Sequence, residues 1–285
     1  MKDWKIGTDY EIPIAKNGIP VSIVGKIGGT KDEPLSIGNG CARQEDNVNV
    51  EITQPPVNNF EEFISYIEYG LTTVAEMIPE YEYSFNSMLI YPDEELNTAE
   101  ATLFGCESSM NVYKRGMSTP VQSTNPNLRS AGFHIHFGHE SIADKDENTD
   151  IGTQERLAKL FDKYITLPSI LLDPERGRRE LYGRAGEIRF KDYGIECRSL
   201  GAYFLSSAKL IEWVWEGIET CIQQLELGED LNKDVMYIRE DINEYSPIED
   251  IINNYDVEAA RLYCDENNIN YLKEESCKTY LYTEA

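Results

Sequence analysis

Apolar and polar residues alternate along several stretches of the chain, and this period of two predicts β-strands. The stretches are residues 5–14, 47–53 and 131–138 and the two arms of residues 184–198. In the first strand Asp9 and Glu11 share one face, and in the second Glu51 lies opposite the apolar side chains. These two strands are therefore expected to carry carboxylates on one face and core residues on the other.

Three longer segments repeat apolar residues at helical spacing. They cover residues 60–78, 153–166 and 206–227. Asn59 is a suitable N-cap for the first helix, and Pro168 is expected to end the second because its ring removes a backbone donor. Strands and helices in one chain predict an α+β protein whose helices pack on a sheet.

Two segments follow neither spacing and are expected to be loops. The segment between the first two strands is rich in glycine and either covers a ligand or forms a surface connection. Its glycines include Gly25, Gly28, Gly29, Gly38 and Gly40. Residues 116–130 are polar and contain two prolines. Beyond Glu216 the chain becomes strongly acidic, with helix starts expected at Pro247 and Asp256.

Composition narrows the class of protein. At 285 residues and 41% hydrophobic content, the chain can form one large domain or two small ones. It has no signal-peptide pattern and no apolar run of about 20 residues, which predicts a cytoplasmic protein. The net charge of -25 argues against nucleic-acid and membrane partners, because nonspecific phosphate binding requires basic surface. The six cysteines form no CxxC pair and are expected to be reduced thiols.

Cations gather in one part of this acidic chain. Residues 175–198 hold seven of its 26 lysines and arginines. Charged side chains share one face of each arm of the predicted hairpin: Glu187, Arg189 and Lys191 before the turn, and Glu196 and Arg198 after it. A solvated hairpin is the simpler interpretation, but cations concentrated in an acidic protein indicate a bound anion, most naturally a polyphosphate.

All three histidines fall within six residues. His134 and His136 share one strand face, and His139 follows the strand. This geometry suits metal ligation or phosphate contact, although a hydrogen-bonded pair in a polar groove is the alternative. A zinc site from the three histidines also stays open, whereas a two-metal hydrolase would need histidines on later strands. Carboxylates with one imidazole suit Mg²⁺ or Mn²⁺ better.

Four motifs follow one another in order: residues 7–11 (Gly-Thr-Asp-Tyr-Glu), 49–52 (Asn-Val-Glu-Ile), 132–138 (Gly-Phe-His-Ile-His-Phe-Gly) and the hairpin over 186–200. This order resembles the phage-type COOH-NH2 ligases, amidoligases related to glutamine synthetase and glutamate-cysteine ligase. The resemblance covers roughly residues 5–215. It implies a glutamine synthetase-like catalytic fold, in which a curved antiparallel sheet has helices on its outer face. It also implies ATP-dependent joining of a carboxylate to an amine through an acyl phosphate, with ADP as a product.

The resemblance further implies roles for individual residues. Metal ligands would be Asp9, Glu11, Glu51, His134, Glu187 and Glu196. Contacts to ATP phosphates would be Arg184, Arg189, Lys191 and His136, and the groups at the transferring phosphoryl would be Arg198, Arg189 and Glu196. The expected cofactors are ATP and Mg²⁺ or Mn²⁺. Asp9 stands where relatives of glutamine synthetase usually have glutamate.

The implied partners are a small-molecule or peptide carboxylate and an amine, which the sequence does not identify, and the oligomeric state stays open. A catalytic domain is expected over residues 1–228 and an acidic helical extension over 229–285. The expected location is the cytoplasm, that of an infected host cell if a phage encodes the protein. The alternatives are an acidic, non-enzymatic phage decoy that mimics DNA charge, and another metal-dependent phosphotransferase. The cationic hairpin argues against the decoy, which has no use for it.

Overall fold

The protein is an α+β structure built on one large antiparallel sheet. A computed structural model describes residues 3–102, 109–118, 125–143, 151–229, 231 and 247–272. The first seven strands are β1 (Lys5–Ile12), β2 (Ile14–Lys16), β3 (Ile19–Val21), β4 (Leu35–Gly38), β5 (Cys41–Asp46), β6 (Asn49–Thr53) and β7 (Glu82–Tyr83). The others are β8 (Met88–Ile90), β9 (Met110–Asn111), β10 (Gly116–Met117), β11 (Leu128–Ser130), β12 (Gly132–Gly138), β13 (Glu187–Lys191) and β14 (Gly194–Gly201).

Nine of these strands form the main sheet in the order β10-β9-β13-β14-β12-β1-β6-β5-β4. All the pairings between neighbours in this order are antiparallel. The strands predicted to carry charged groups are β1, β6, β13 and β14, and the histidines are on β12. These five strands are therefore consecutive in the sheet. Two small sheets accompany it, with orders β11-β8 and β3-β2-β7.

Helices cover one face of the main sheet. Their bounds are α1 (Phe60–Met77), α2 (Ala99–Thr102), α3 (Ile151–Phe161), α4 (Leu167–Ser169), α5 (Arg178–Leu181), α6 (Ala208–Leu227), α7 (Pro247–Asn253) and α8 (Val257–Asn267). A π-helical turn, Asp162–Thr166, joins α3 to α4, and 3₁₀ turns lie at Asp93–Leu96 and Ala202–Leu205. Helices α1, α3 and α6 bury the apolar face of the sheet and form the main core.

The packing of α1 shows how closely a helix approaches the sheet. Asn59 caps the helix by accepting a hydrogen bond from the backbone of Glu62 at 2.9 Å, as the sequence predicts. A Cβ on Gly70 would lie 2.5 Å from the Tyr10 hydroxyl of β1. Glycine is therefore required where the helix crosses this strand.

The segment between β1 and β6 is not the loop that its glycines predict. It contains β2, β3, β4 and β5 around a loop over residues 22–34, so the expectation of a loop throughout is wrong. Asn17-Gly18 joins β2 to β3 and Asn39-Gly40 joins β4 to β5, and all four residues have positive φ. Asn-Gly pairs of this kind make two-residue hairpin turns and were the signal for these strands.

Part of the same segment wraps around a carboxylate. The backbone N–H groups of Gly25, Lys26, Ile27 and Gly28 donate to Glu45 of β5 at 2.7–2.9 Å. Four donors on one carboxylate hold these residues to β5.

The helix around Pro168 continues where the sequence predicts an end. The π-helical turn Asp162–Thr166 precedes the proline, and the backbone N–H of Leu167 donates to the carbonyl of Asp162, five residues earlier. The wider π-helical turn changes the hydrogen-bond spacing just before Pro168, which has no backbone N–H to donate. The helix therefore continues through the proline. The other two predicted helices agree with α1 and α6 within two residues.

The residues expected to form a loop over 116–130 include β10, which pairs with β9, and β11, which pairs with β8. Residues 119–124 lie outside the described residues. Both expected C-terminal helix starts agree with α7 and α8, and Asp256 caps α8 through Ala259.

Within the described part of the chain, none of the helices combines the length and apolar character that crossing a bilayer requires. Four cysteines there are free and buried: Cys41, Cys197, Cys221 and Cys264. Cys106 and Cys277 lie outside the described residues.

Candidate functional site

Charged side chains meet on the sheet face opposite the helices. The register pairs Asp9 with His134 between β1 and β12, and His136 with Glu196 between β12 and β14. Glu196 also pairs with Arg189 of β13. Because strand side chains alternate between faces, these pairings put one site across four adjacent strands.

Asp9 lies at the centre of the site, between the two histidines. Its Oδ1 is 2.6 Å from Nδ1 of His134, and its Oδ2 is 3.2 Å from Nε2 of His136. Burial opposes ionisation of this carboxyl, yet the charges and hydrogen bonds of the two histidines hold the pKa of Asp9 well below its usual range. Asp9 is therefore a carboxylate that can bind a cation.

Glu196 is the second centre, and three cations surround it. Its carboxylate lies 2.5 Å from Arg198, 2.9 Å from Lys191 and 3.6 Å from Arg189. Although burial opposes ionisation, His134 and Arg198 lower the pKa of Glu196 to about 2. The cations that the sequence assigns to a bound anion thus converge on a buried anion of the chain itself.

A second pair of acids continues the site along β1 and β6. Glu11 and Glu51 face each other in the register, and both are buried. Glu11 accepts a hydrogen bond from the backbone N–H of Gly132 at 2.9 Å, and Glu51 accepts one from Gln44 at 2.8 Å. Burial raises the pKa of Glu11, and burial followed by the charge of Asp9 raises the pKa of Glu51 well above its usual range. A divalent cation beside these acids would relieve that repulsion.

The other two predicted residues, Glu187 and Arg184, are engaged in the loop before β13. Glu187 accepts hydrogen bonds from the backbone N–H groups of Gly183 at 3.1 Å and Arg184 at 3.2 Å. Arg184 donates from Nε to the carbonyl of Arg179 at 3.2 Å. These contacts order the loop that leads into the hairpin and do not link either side chain to Asp9.

Two tyrosines belong to the site although the sequence did not single them out. The Tyr182 hydroxyl contacts Arg198 and lies 3.3 Å from Nε2 of His134. The Tyr193 hydroxyl lies 2.6 Å from Nδ1 of His136, and the two rings stack with centroids 6.0 Å apart. In a chain with 18 tyrosines, no spacing marks these two.

A β-bulge lies beside Arg198 in β14. Phe133 pairs with Leu200 and Ile135 pairs with Cys197, so the single residue His134 faces two residues of β14. Such a bulge changes the direction of the side chains beside it. Arg198 keeps the alternation that it shares with Glu196 and points to the site, whereas the Ser199 hydroxyl contacts Thr166 at 2.6 Å on the helix side.

Two buried arginines hold this bulge. Arg178 donates to the carbonyl of Leu200 at 2.8 Å, and Arg179 donates to the carbonyl of Ser199 at 2.7 Å. Both were counted among the cations that indicate a bound anion. That interpretation is wrong for this pair, because their guanidinium groups bind backbone carbonyls of the protein.

The donor set suits a hard divalent cation. Asp9, His136 and Glu196 each offer an atom within 4.8 Å of the others, and His134 Nδ1 lies 2.6 Å from Asp9 and 3.7 Å from Glu196. Carboxylates with imidazole fit Mg²⁺ or Mn²⁺. Within the described ranges, His139 is not part of this group. It stacks on Trp4 and contacts Ser141, which weakens the alternative of a three-histidine zinc site.

Comparison with known proteins identifies one family. The model described as phage phiEco32-like COOH-NH2 ligase type 2 matches residues 70–214. This range includes β12 and the hairpin of β13 and β14, whereas Asp9, Glu11 and Glu51 precede it. No curated protein shows significant similarity to the chain.

Proposed function

The chain belongs to the phage phiEco32-like COOH-NH2 ligase type 2 family, whose model covers just over half of it, and we propose that it is an ATP-dependent carboxylate-amine ligase. The observation that carries the proposal is the meeting of carboxylates, imidazoles and three cations on one sheet face. Metal-binding groups beside cations suit phosphoryl transfer, because the transferred group brings several negative charges into a small volume.

Asp9, Glu11, Glu51, His134 and Glu196 would hold Mg²⁺ or Mn²⁺, and His136 lies beside them for a phosphate or a metal. The ions would neutralise the phosphate oxygens of ATP when bound. The raised pKa values of Glu11 and Glu51 support this assignment, because a cation beside these carboxyls would favour their ionised form. Glu187 and Arg184 support the site indirectly by ordering the loop before β13.

The cations differ in their access to a substrate. The side chains of Lys191 and Arg189 are 32% and 16% exposed, whereas that of Arg198 is fully buried. We assign Lys191 and Arg189 to the entering phosphates. Arg198 lies at the buried end of the site, where its guanidinium can form bidentate contacts with the phosphoryl group that is being transferred.

The proposed reaction has two steps. A carboxylate oxygen of the first substrate attacks the γ-phosphorus of ATP, the bond to ADP breaks, and an acyl phosphate forms. The amine nitrogen then attacks the acyl carbon, phosphate leaves with the attacking oxygen, and the amide remains after the nitrogen loses its proton. Both steps concentrate negative charge at oxygen atoms, which the cations of the hairpin stabilise.

We further propose that the sheet and its helices form a glutamine synthetase-like catalytic fold. The substrates would be a small-molecule or peptide carboxylate and an amine. The net charge of -25 favours a cationic amine over an anionic one. The same charge is the single feature that favours a DNA-mimicking decoy, but a buried Glu196 ringed by cations contributes nothing to such a surface.

An isotope experiment tests the proposed chemistry. After a screen of carboxylates and amines for ADP release, the active carboxylate is supplied with ¹⁸O in both oxygens. One ¹⁸O is expected in the released phosphate, because the oxygen that attacks phosphorus stays with it. Mass spectrometry reads this directly. Unlabelled phosphate, or AMP with pyrophosphate as products, would contradict the acyl phosphate route.

A further inference from the structure

Each histidine of the pair on β12 meets a tyrosine hydroxyl. His134 lies 3.3 Å from Tyr182 through Nε2, and His136 lies 2.6 Å from Tyr193 through Nδ1. The second tyrosine sits in the hairpin turn and is 45% exposed. The first lies inside the site, where it also touches Arg198.

Contacts to its ring, backbone and hydroxyl hold Tyr182 in place. The guanidinium carbons of Arg178 and Arg198 lie 5.2 Å and 5.4 Å from its centroid, which is within cation-π range. Its backbone N–H donates to the carbonyl of Arg178 at 2.6 Å. Its hydroxyl contacts Arg198 Nη2 as well as His134. The position of the oxygen is therefore set by the fold.

This oxygen contacts Nε2 of His134, on the opposite side of the ring from Nδ1. Nδ1 of His134 lies 2.6 Å from Asp9 and 3.7 Å from Glu196, so Nδ1 is the atom that can join these carboxylates at a cation. A ligating nitrogen must carry no proton, which leaves the proton of the neutral ring on Nε2. A hydroxyl can accept from Nε2–H and can also donate to bare Nε2, so it pairs with the ring in both forms.

We propose that Tyr182 is a positioning residue of the ligase site, which holds the ring of His134 in place for metal binding and holds Arg198 beside it. The inference rests on the proposed function for the identity of the metal site. Partners of this kind orient metal-binding histidines, and their loss typically weakens metal affinity 10- to 100-fold.

Nitrogen NMR of the histidine rings in the metal-free protein tests the first half of the inference. The chain has only three histidines, so His136→Asn and His139→Asn variants assign the signals. Tyr182→Phe is expected to shift the Nε2 resonance of His134 and leave those of His136 in place. Tyr193→Phe is expected to do the reverse, and it is the matched control because it also removes one hydroxyl from one histidine.

Titration of Mn²⁺ alone, followed by calorimetry, tests the second half. Tyr182→Phe should bind Mn²⁺ at least about tenfold more weakly than the unmodified protein. Tyr83→Phe, whose hydroxyl donates to the carbonyl of Leu71 away from the site, should bind it normally. Thermal unfolding of all variants shows that each is folded.

Any other pattern overturns the inference. Unchanged His134 resonances in Tyr182→Phe would mean that the hydroxyl does not set the ring, even if Mn²⁺ binding fell. Shifted resonances with unchanged Mn²⁺ affinity would mean that the ring's state does not matter for the metal. Failure of the unmodified protein to form ADP with any substrate pair would contradict the proposed function instead, and would leave the NMR comparison standing.

Discussion

Arg198 is a residue whose type matters as much as its charge. It is fully buried, and its guanidinium reaches Glu196 and Tyr182 at the same time. A lysine ammonium is a point charge and cannot keep both contacts in one plane. Single residues of this site therefore have little tolerance for changes that look conservative.

We expect Arg198→Lys to lower kcat/KM for the ligase reaction by at least about 100-fold. The guanidinium would stabilise negative charge that develops in the transition state, and lysine cannot make the same paired contacts. Glu196→Gln should abolish turnover, since it removes a proposed metal ligand and the anion that orders three cations. Arg115→Lys and Glu76→Gln are the controls, because both native side chains are exposed and outside the site. Near-normal turnover in either site variant would make the hairpin structural.

Asp162 predicts a pH dependence of stability. It is buried in the π-helical turn, and its Oδ2 accepts a hydrogen bond from the backbone N–H of Gly186 at 2.6 Å. Burial raises its pKa from 3.8 to about 7. Because the folded-state pKa is raised, the neutral acid favours folding below about pH 4, and that contribution is lost as the pH rises to about 7.

The Asp162→Asn variant isolates this effect, because its side chain cannot ionise and keeps an oxygen for Gly186. Urea unfolding at several pH values should give a free-energy difference, unmodified protein minus variant, that falls by up to ~4 kcal/mol between pH 4 and 7. A difference that stays constant over this range would contradict the raised pKa.

The period of two was enough to predict which charged residues share a face, and so it assembled most of the candidate site. Asp9, Glu11 and Glu51 lie where that alternation puts them. Tyr182 and Tyr193 were missed because they lie in a helix end and a turn, where no period applies. Their roles arise from contacts across the sheet, which a linear pattern does not contain.

Among the elements, short α5 and the bulge of β14 form one unit. Arg179 donates to the carbonyls of Gly183 and Ser199 and to the hydroxyl of Ser169. It thereby connects α4, the loop before β13 and the strand that carries Arg198. A guanidinium with five donors suits this junction, and no shorter side chain could bridge it.

We expect Arg179→Leu to reduce the free energy of unfolding by about 3 kcal/mol, because buried carbonyls lose their donor. Arg261→Leu, at an exposed position of α8, is the control and should change stability by less than ~0.5 kcal/mol. Urea unfolding monitored by circular dichroism measures both. Equal midpoints for the two variants would show that the Arg179 contacts are dispensable.

The described part of the acidic C-terminal region is also connected to this unit. Asn253 of α7 accepts from the backbone N–H of Ala185 at 3.0 Å, and the Tyr255 hydroxyl contacts the carbonyl of Asp173. Helices α7 and α8 bury Leu167 and Ile170 of the same region. The domain boundary expected near residue 228 stays a prediction, but these helices support the segment that supplies Tyr182 and both buried arginines.

At the scale of the whole molecule, charge works against the proposed substrate. The protein carries a net charge of -25, and ATP is a polyanion. Long-range electrostatics therefore disfavour the encounter, and the carboxylates of the site add a local repulsion. Bound divalent cations would make the local electrostatic potential favourable for the phosphates of ATP.

ATP binding should for this reason depend on Mg²⁺ or Mn²⁺. In calorimetric titrations we expect the affinity for ATP to fall at least about tenfold when EDTA replaces the metal. Added monovalent salt at equal ionic strength is the control for general screening. Undiminished affinity in EDTA would contradict a metal-bridged nucleotide.

The α+β class follows from the two spacings in the sequence, but the strand order does not. Pairing β12 between β1 and β14 brings together residues more than 100 positions apart, and no local signal specifies such a neighbour. Short strands such as β3 and β4 were missed among the glycines because three or four residues are too few to show a period. Their Asn-Gly turns were the better signal.

The central place of β14 between β13 and β12 has a consequence for the timing of synthesis. A ribosome makes Asp9 of β1 long before the last strand of the charged face, which ends only at residue 201. A nascent chain holding the first half of these residues has unpaired strand edges and half of a charged face. We therefore expect the sheet to close late in synthesis. Until then, the negative charge of the acidic strands should repel the unpaired strand edges of neighbouring chains.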